Sequence, residues 1–472
     1  MLQFNSNVQK LKYRVLKEVI RLAAKDELNA NLYEIPRKII PGPKATMRCC
    51  IYRERAIIEE RVKLAMGGNP NNKNIVEVLD VACEECPTKR FTVTDTCQGC
   101  IAHRCQNVCP AGAITFVNHK AVIDHEKCKG CGQCMRSCPY HAITEQERPC
   151  ISACKANAIS MDEQNKAKID INKCVRCGAC VRQCPFGAIA DKSYVLNAMK
   201  MIRDSDHGKN YRVYAAIAPA IASQFSYASI GQIVTGLKKI GFDKVVEAAL
   251  GADIVADKEA EELAEKGFLT TSCCPAFVQF IQSNFPDLKE HISSNPSPMV
   301  QIARLIKQRD QTAKVVFIGP CIAKKMEFQK EELQGVVDCV ITFEELQAMF
   351  GGLDIHLEEL EESELNDASY FGRIFARNGG VTEAVFHALE EKNIDFQVNP
   401  AVCDGLEECR AALLKASKGK LVENFIEGMA CVGGCVGGAA CISLNQPAKN
   451  RMRIESFAKQ ATRGVKESVK VR

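Results

Sequence analysis

Hydrophobic positions along the chain fall into three regimes. Val8, Leu11, Val15, Val19 and Leu22 recur at helical spacing, which predicts an amphipathic helix over 8–30. IPRKIIPGPKAT (35–46) carries Pro36, Pro41 and Pro43 and predicts a loop. A second helix is predicted over 51–66, ending before GGNPNN. Residues 83–184 form the second regime, where cysteines dominate. Beyond about residue 195, RVYAAIAP (212–219), AKVVFIGP (313–320) and VVDCVITF (336–343) have the apolar run of buried strands. Helical stretches at 229–240, 257–266 and 298–308 alternate with them, which predicts parallel α/β layers. The basic tail after Asn450 has the pattern of a helix or of unstructured chain.

Composition narrows the class. The chain of 472 residues has room for several domains, and 46% hydrophobic with 25% charged residues is an ordinary soluble balance. A net charge of +5 is small for this length, so no nucleic-acid partner is expected. Residues 1–66 hold 14 Lys/Arg against 7 Asp/Glu, either a solvated helix face or a docking surface for an acidic partner such as a small ferredoxin. No run of 18 apolar residues exists, so no membrane span is expected. The opening MLQFNSNVQKLKYRV lacks the apolar core of a signal peptide. Against that background, 27 cysteines at short, regular spacings point to metal clusters in a reducing compartment rather than to disulfides.

CKGCGQCMRSCPYHAI supplies Cys128, Cys131, Cys134 and Cys138, and CVRCGACVRQCPFGAI repeats the pattern at Cys174, Cys177, Cys180 and Cys184. Both are the bacterial ferredoxin run in which three thiolates hold one [4Fe–4S] cube and the fourth reaches another. CQGCIAHRCQNVCPAGAI is a variant that adds Cys97, Cys100, Cys105 and Cys109. Ferredoxin pairing predicts one cube on Cys97, Cys100, Cys105 and Cys138, and a second on Cys109, Cys128, Cys131 and Cys134. CISACKANAI carries Cys150 and Cys154, and Cys154 completes a third cube with Cys174, Cys177 and Cys180. Cys150, Cys184 and the lone pair Cys83 and Cys86 are left over. They form either a fourth cube or a degenerate half-motif beside a small zinc or empty site. Three or four neighbouring cubes make an electron wire, which implies a redox centre at one end and an exchangeable carrier at the other.

Three further motifs stand apart: TSCCPAF (271–277), GPCIAKKME (319–327) and EGMACVGGCVGGA (427–439). They offer Cys274, Cys321, Cys431 and Cys435, one cube's worth of thiolates, each motif following an apolar run where α/β folds place their sites. These motifs closely resemble the H-cluster signatures of [FeFe]-hydrogenases over about residues 210–445, in a less-studied branch of that family fused to ferredoxin-like regions. The resemblance implies a two-lobed α/β catalytic domain with parallel sheets around the H-cluster. Ahead of it would lie α+β ferredoxin-like [4Fe–4S] domains and a helical N-terminal segment. The corresponding boundaries are 1–80, 81–195 and 196–472. The H-cluster is a cube sharing one cysteine with a di-iron unit that carries CO, cyanide and a bridging dithiolate amine. By motif, Cys274, Cys321 and Cys431 would hold the cube and Cys435 would bridge to the di-iron unit. Lys324 would bond a cyanide, Met429 would pack beside the di-iron site, and Ala218 and Pro219 would line the pocket. Cys273 would begin a proton relay, continued by Glu259, Glu262 and Ser293.

The implied activity is reversible oxidation of H2 coupled to ferredoxin, in the cytoplasm of an anaerobe, after maturation proteins have delivered the di-iron unit. The alternatives are a hydrogen sensor and a non-catalytic iron–sulfur assembly protein. The presence of Cys273, Lys324 and Met429 favours the enzyme. Departures from the common family pattern are Gly319 for a Met, Phe277 for a Trp, Met299 for a Gln and Ala220 for a Ser, with Cys441 added. Cys441, Cys339, Cys403, Cys409, Cys49 and Cys50 fit small buried hydrophobes. In TTSCCPAF, an extended backbone would turn Cys274 to the cube and Cys273 to the substrate side.

Overall fold

A computed structural model describes residues 4–84, 86–87 and 89–469. Helix α1 spans Asn7–Ala23 and is capped by Ser6, whose hydroxyl accepts from the Gln9 N–H at 3.2 Å. Its apolar face, from Leu11 to Leu22, is buried. The helix stops short of residue 30 because Asp26 takes a positive φ of 55° and the Glu27 N–H folds back onto the Leu22 carbonyl at 2.9 Å. Part of the predicted proline loop is a short helix, Ile35–Ile39, with Pro36 in the first turn, where its missing N–H costs nothing. Helix α2 covers Ile51–Ala65, close to the expected bounds. Much of the N-terminal basic excess has partners within the protein: Lys12 bonds Asp191 and Glu344, Arg21 and Lys38 bond Glu18, and Arg61 bonds the Gly187 carbonyl.

The cysteine-rich region consists of two ferredoxin-like units, one nested inside the other. The inner unit pairs Phe91–Val93 with Ile143–Glu145 and contains the hairpin of Ile114–Val117 with Lys120–Ile123. In the outer unit, Val76–Val78 pairs with Ile189–Asp191, and Ile159–Met161 pairs with Ala167–Ile169. All four pairs are antiparallel. This nesting carries Cys83 and Cys86 to the far end of the region in sequence, beside Cys150 and Cys184.

Two parallel sheets follow. Strands β1 (Val213–Ile217), β2 (Lys244–Glu247), β4 (Lys314–Gly319) and β5 (Cys339–Thr342) form a sheet of order β2-β1-β4-β5, and β3 (Leu269–Thr270), β6 (Pro400–Asp404) and β7 (Phe425–Met429) form one of order β3-β7-β6. Helix α3 (Ala248–Lys266) follows β2, and helix α4 (Phe343–Gly352) follows β5. Strand β5, at one edge of its sheet, and β7, at the centre of the other, are both buried along their whole length. Helix α4 opens with a capping box between Thr342 and Glu345. Helix α1 lies directly on α4, and Gly351 and Gly352 make the close approach possible: a Cβ on either would meet Tyr13 or Ile20. After Asn450 the described chain is largely helical, with helices at Pro447–Lys459 and Val465–Val469.

Candidate active site

The motifs at 271–277, 319–327 and 427–439 all leave the carboxyl ends of parallel strands. Cys273 and Cys274 follow β3, Cys321 follows β4, and Cys431 and Cys435 follow β7. Pro219 follows β1, where the Ala218 N–H bonds the Ile318 carbonyl of β4 at 2.9 Å. The crevice beyond these ends is the expected ligand position in an open α/β sheet. A cavity lies there, lined by Ala218, Pro219, Cys273, Cys274, Phe317, Cys321, Lys324, Met429 and Cys435 among others.

The donor set fits an iron–sulfur cube joined to a second metal group. Burial pushes the Cys321 thiol up to about 11 and the Cys435 thiol to about 12, and raises the Cys431 thiol well above its usual value. The mutual repulsion of their thiolates, with Cys274, adds to each shift. Four thiols that destabilise one another's charge in a buried space are arranged for a cation to relieve them. Cys274, Cys321 and Cys435 line the cavity together with Lys324 and Met429. Lys324 is buried. Burial acts to lower its pKa, but the Glu327 carboxylate at 2.7 Å outweighs it and keeps the ammonium charged. Its Nζ also reaches the Cys273 carbonyl at 3.3 Å. A fixed cation in a dry cavity is a preorganised site for a small anion.

Cys273 and Cys274 face different surroundings. Both pack against Met429 and the apolar side of α3, while Cys274 also joins the group that contains Cys177 and Cys321. Burial raises the Cys273 thiol well above its usual pKa, and the neighbouring Glu259 charge adds to the effect. Glu259 is fully buried on α3, and burial raises it to about 7 against hydrogen bonds from Ser293 and Ser272. One helical turn further, Glu262 accepts from Ser293 Oγ at 2.9 Å. Burial acts to raise Glu262, but Lys266 at 2.7 Å and the Ser294 N–H outweigh it and hold it below the usual value. Glu259 is thus the more deeply buried of the two, and Glu262, also buried, pairs with the exposed Lys266.

The sixteen upstream cysteines gather in four sets. Cys105 lies with Cys100 and Cys138, and Cys134 with Cys109 and Cys128, close enough that each thiol's charge bears on the first-named cysteine. Cys97 and Cys128 share one core group with them. Cys180 lies with Cys154, Cys174 and Cys177, and Cys150 with Cys83, Cys86 and Cys184. Cys131 is exposed, beside Cys128 and Cys134. Backbone N–H groups point at several sulfurs: Ala113 at Cys109, Ala142 at Cys138, Ala158 at Cys154 and Ala188 at Cys184, all at 3.2–3.4 Å. Cys177 also bears on Cys274 and Cys431, which sets the third group against the catalytic one. Among the described residues, no three His, Cys, Asp or Glu side chains converge as a single ion would need.

Some features were not visible in the motifs. Phe317 lies over Gly319 on the same face of β4, and a Cβ on Gly319 would sit 2.6 Å from its ring. The ring therefore takes the wall space that a longer side chain at 319 would occupy. Glu427 is buried, and burial raises its pKa, although Thr382 and the Gly379 N–H bond it. Cys339, Cys403, Cys409 and Cys441 are buried as expected, but Cys49 is exposed and Cys50 half-buried. The reason is their place at the entry to α2, where Cys50 is the N-cap residue.

The description "iron only hydrogenase large subunit, C-terminal domain" matches residues 211–439, and 4Fe-4S binding and dicluster domains match 121–144 and 148–188. The periplasmic [Fe] hydrogenase large subunit of Nitratidesulfovibrio vulgaris is 31% identical over 380 residues, covering 68% of this chain and 86% of that protein. Iron hydrogenase 1 of Clostridium pasteurianum is 28% identical over 392 residues, covering 70% of this chain, which in turn spans 66% of that protein. The cytosolic Fe-S cluster assembly factor NAR1 of Kluyveromyces lactis is 41% identical over 90 residues, 19% of each chain. A solved [FeFe]-hydrogenase, HydA(deltaEFG), shares the fold with a TM-score of 0.51 at 22% identity, covering 59% of this chain and 93% of the other. The nested ferredoxin-like units, the convergent cysteines and these similarities lead to one conclusion: the chain belongs to the [FeFe]-hydrogenase family, with ferredoxin-like iron–sulfur domains ahead of the catalytic domain.

Proposed function

We propose that the protein catalyses the reversible cleavage of dihydrogen into protons and electrons. The observation that carries this reading is Cys273: a buried thiol on the cavity wall, at the head of a chain of acids that leads to the surface. Cys274, Cys321, Cys431 and Cys435 would hold the H-cluster, with Cys435 shared between its two parts. When bound, the di-iron unit supplies the redox-active metal that takes dihydrogen apart. Lys324 would offer its ammonium to a cyanide of that unit, and Pro219, Ala218 and Met429 would form the apolar wall around it. Cys273 stays protonated at neutral pH and exchanges its proton with Glu259. Glu259, with a pKa of about 7, is poised to give or take it. Ser293 passes it to Glu262, and Lys266 marks the exit at the surface.

Electrons take the other direction. A third cube on the set that includes Cys177 would lie beside the H-cluster cysteines, and three or four cubes on the sets described above would make up the wire. A ferredoxin or similar small carrier exchanges electrons with it, and maturation proteins deliver the di-iron unit. No described helix is long and apolar enough to cross a membrane, and a cytoplasmic location goes with this reading. A second reading, a non-catalytic role in iron–sulfur assembly, draws on the similarity to NAR1. Infrared spectra of the matured protein separate the two. CO and cyanide bands together with H2-dependent dye reduction are expected, and their absence after maturation overturns the hydrogenase reading.

A further inference from the structure

Lys325 follows Lys324 in the second motif and is completely buried. Its Nζ lies 2.8 Å from Asp191 Oδ2, 2.8 Å from Glu345 Oε2 and 2.7 Å from the Lys192 carbonyl. Asp191 is also buried, and its other oxygen bonds Lys12 of α1. Lys12 Nζ in turn lies 2.7 Å from Glu344 Oε2 at the start of α4. Asp191 ends the last strand of the iron–sulfur region. Three regions of the chain therefore meet at one carboxylate.

Helix α1 and Asn5 ahead of it also reach the segment just after the third motif. Gln9 Nε2 donates to Glu344 Oε1 at 2.8 Å and to the Cys441 carbonyl at 2.9 Å. Asn5 bonds the Ile442 carbonyl and accepts from the Leu444 N–H at 3.0 Å. Cys441 Sγ in turn contacts the Cys435 carbonyl at 3.5 Å. The close seat of α1 on α4, made possible by Gly351 and Gly352, holds these bonds in register.

We propose that α1 is a positioning element of the catalytic cavity. By sharing Asp191 with Lys325, Lys12 fixes the segment that carries Lys324, and Gln9 and Asn5 fix the segment that follows Cys435. The charge balance explains why Lys12 matters. Two ammonium groups face Asp191, Glu344 and Glu345, and buried charges are costly unless paired. Without Lys12, Lys325 must serve Asp191 and Glu345 beside an uncompensated Glu344. Its backbone, joined to Lys324, then loses its fixed place. This rests on the reading of the cavity given above.

The test uses the full chain with Lys12→Met, Lys12→Arg and Gln9→Ala. Amide hydrogen exchange is read over 321–328 and 435–444 before maturation, and the cyanide bands after it. Lys12→Met is expected to speed exchange over 321–328 at least tenfold and to shift or split the cyanide bands, while Lys12→Arg restores both. Gln9→Ala is expected to speed exchange over 435–444, and it decides the matter if Lys12→Met does not fold. A lower melting temperature with wild-type exchange in both segments and unchanged bands would reduce α1 to a stabilising strut and overturn the proposal. If the wild type itself lacks cyanide bands, the hydrogenase reading fails, while the exchange measurement still decides this one.

Discussion

Ser293 Oγ donates to Glu262 Oε2 at 2.9 Å, and Lys266 holds the other Glu262 oxygen at 2.7 Å from the solvent side. In the proposed relay the serine would be the step between Glu259 and Glu262. Ser293→Ala removes the hydroxyl that bonds Glu262. Turnover is expected to fall by about a hundredfold, the scale of a lost proton-transfer group. Dye-coupled rates and infrared spectra on the same samples check this, and an unchanged rate would move the proton exit elsewhere.

The two adjacent thiols predict opposite phenotypes. Cys273→Ala is expected to keep the CO and cyanide bands and lose most turnover. Cys274→Ala is expected to lose the cube next to the cavity, seen as missing iron and absent bands.

Glu259 makes stability depend on pH in a particular direction. Burial raises its folded pKa from 4.5 to about 7, so the folded chain holds the proton more tightly than the unfolded one. The stability this contributes is full below pH 4.5 and is lost as pH rises through 7. Relative to Glu259→Gln, the wild type should lose on the order of 3 kcal/mol across that window. Anaerobic melting curves of the two proteins measure it. Parallel curves would place the carboxyl in contact with water.

Phe317 and Gly319 share one space. Gly319→Met should destabilise the fold and disturb the cavity, because its Cβ alone would meet the Phe317 ring at 2.6 Å. Adding Phe317→Ala should relieve the clash and recover stability in large part. Melting temperatures of the single and double variants decide this, and additive losses would count against it.

The leftover cysteines predict an iron count. Cys83→Ser with Cys86→Ser should remove about four irons per chain and leave the other cubes in place. Iron analysis and electron paramagnetic resonance of the reduced protein check this. An unchanged iron content would mean that the fourth set holds no cube.

Much of this was legible in the sequence because cysteine motifs are local. A run such as Cys128–Cys138 wraps one site within a few turns of backbone, so its spacing alone names its ligands. The apolar runs that became β1, β4 and β5 were equally plain, since buried parallel strands leave no polar alternation to confuse. The end of α1 was less legible. Its apolar spacing says which face is buried, but the turn at Asp26 that stops the helix depends on backbone geometry.

The sequence by itself determined the thiolate inventory, the motif that holds Lys324 and the succession of helical, cysteine-rich and α/β segments, because each is written in spacing along a short stretch. Only the tertiary structure decided how distant stretches combine. It brought Cys83 and Cys86 to Cys150 and Cys184 by pairing Val76–Val78 with Ile189–Asp191. It buried Glu259 and Glu262 together on α3 and set Ser293 against Glu262, laid Phe317 over Gly319, and turned Lys12 inward to Asp191. These depend on which surfaces meet after the chain has folded, and no local period carries that information.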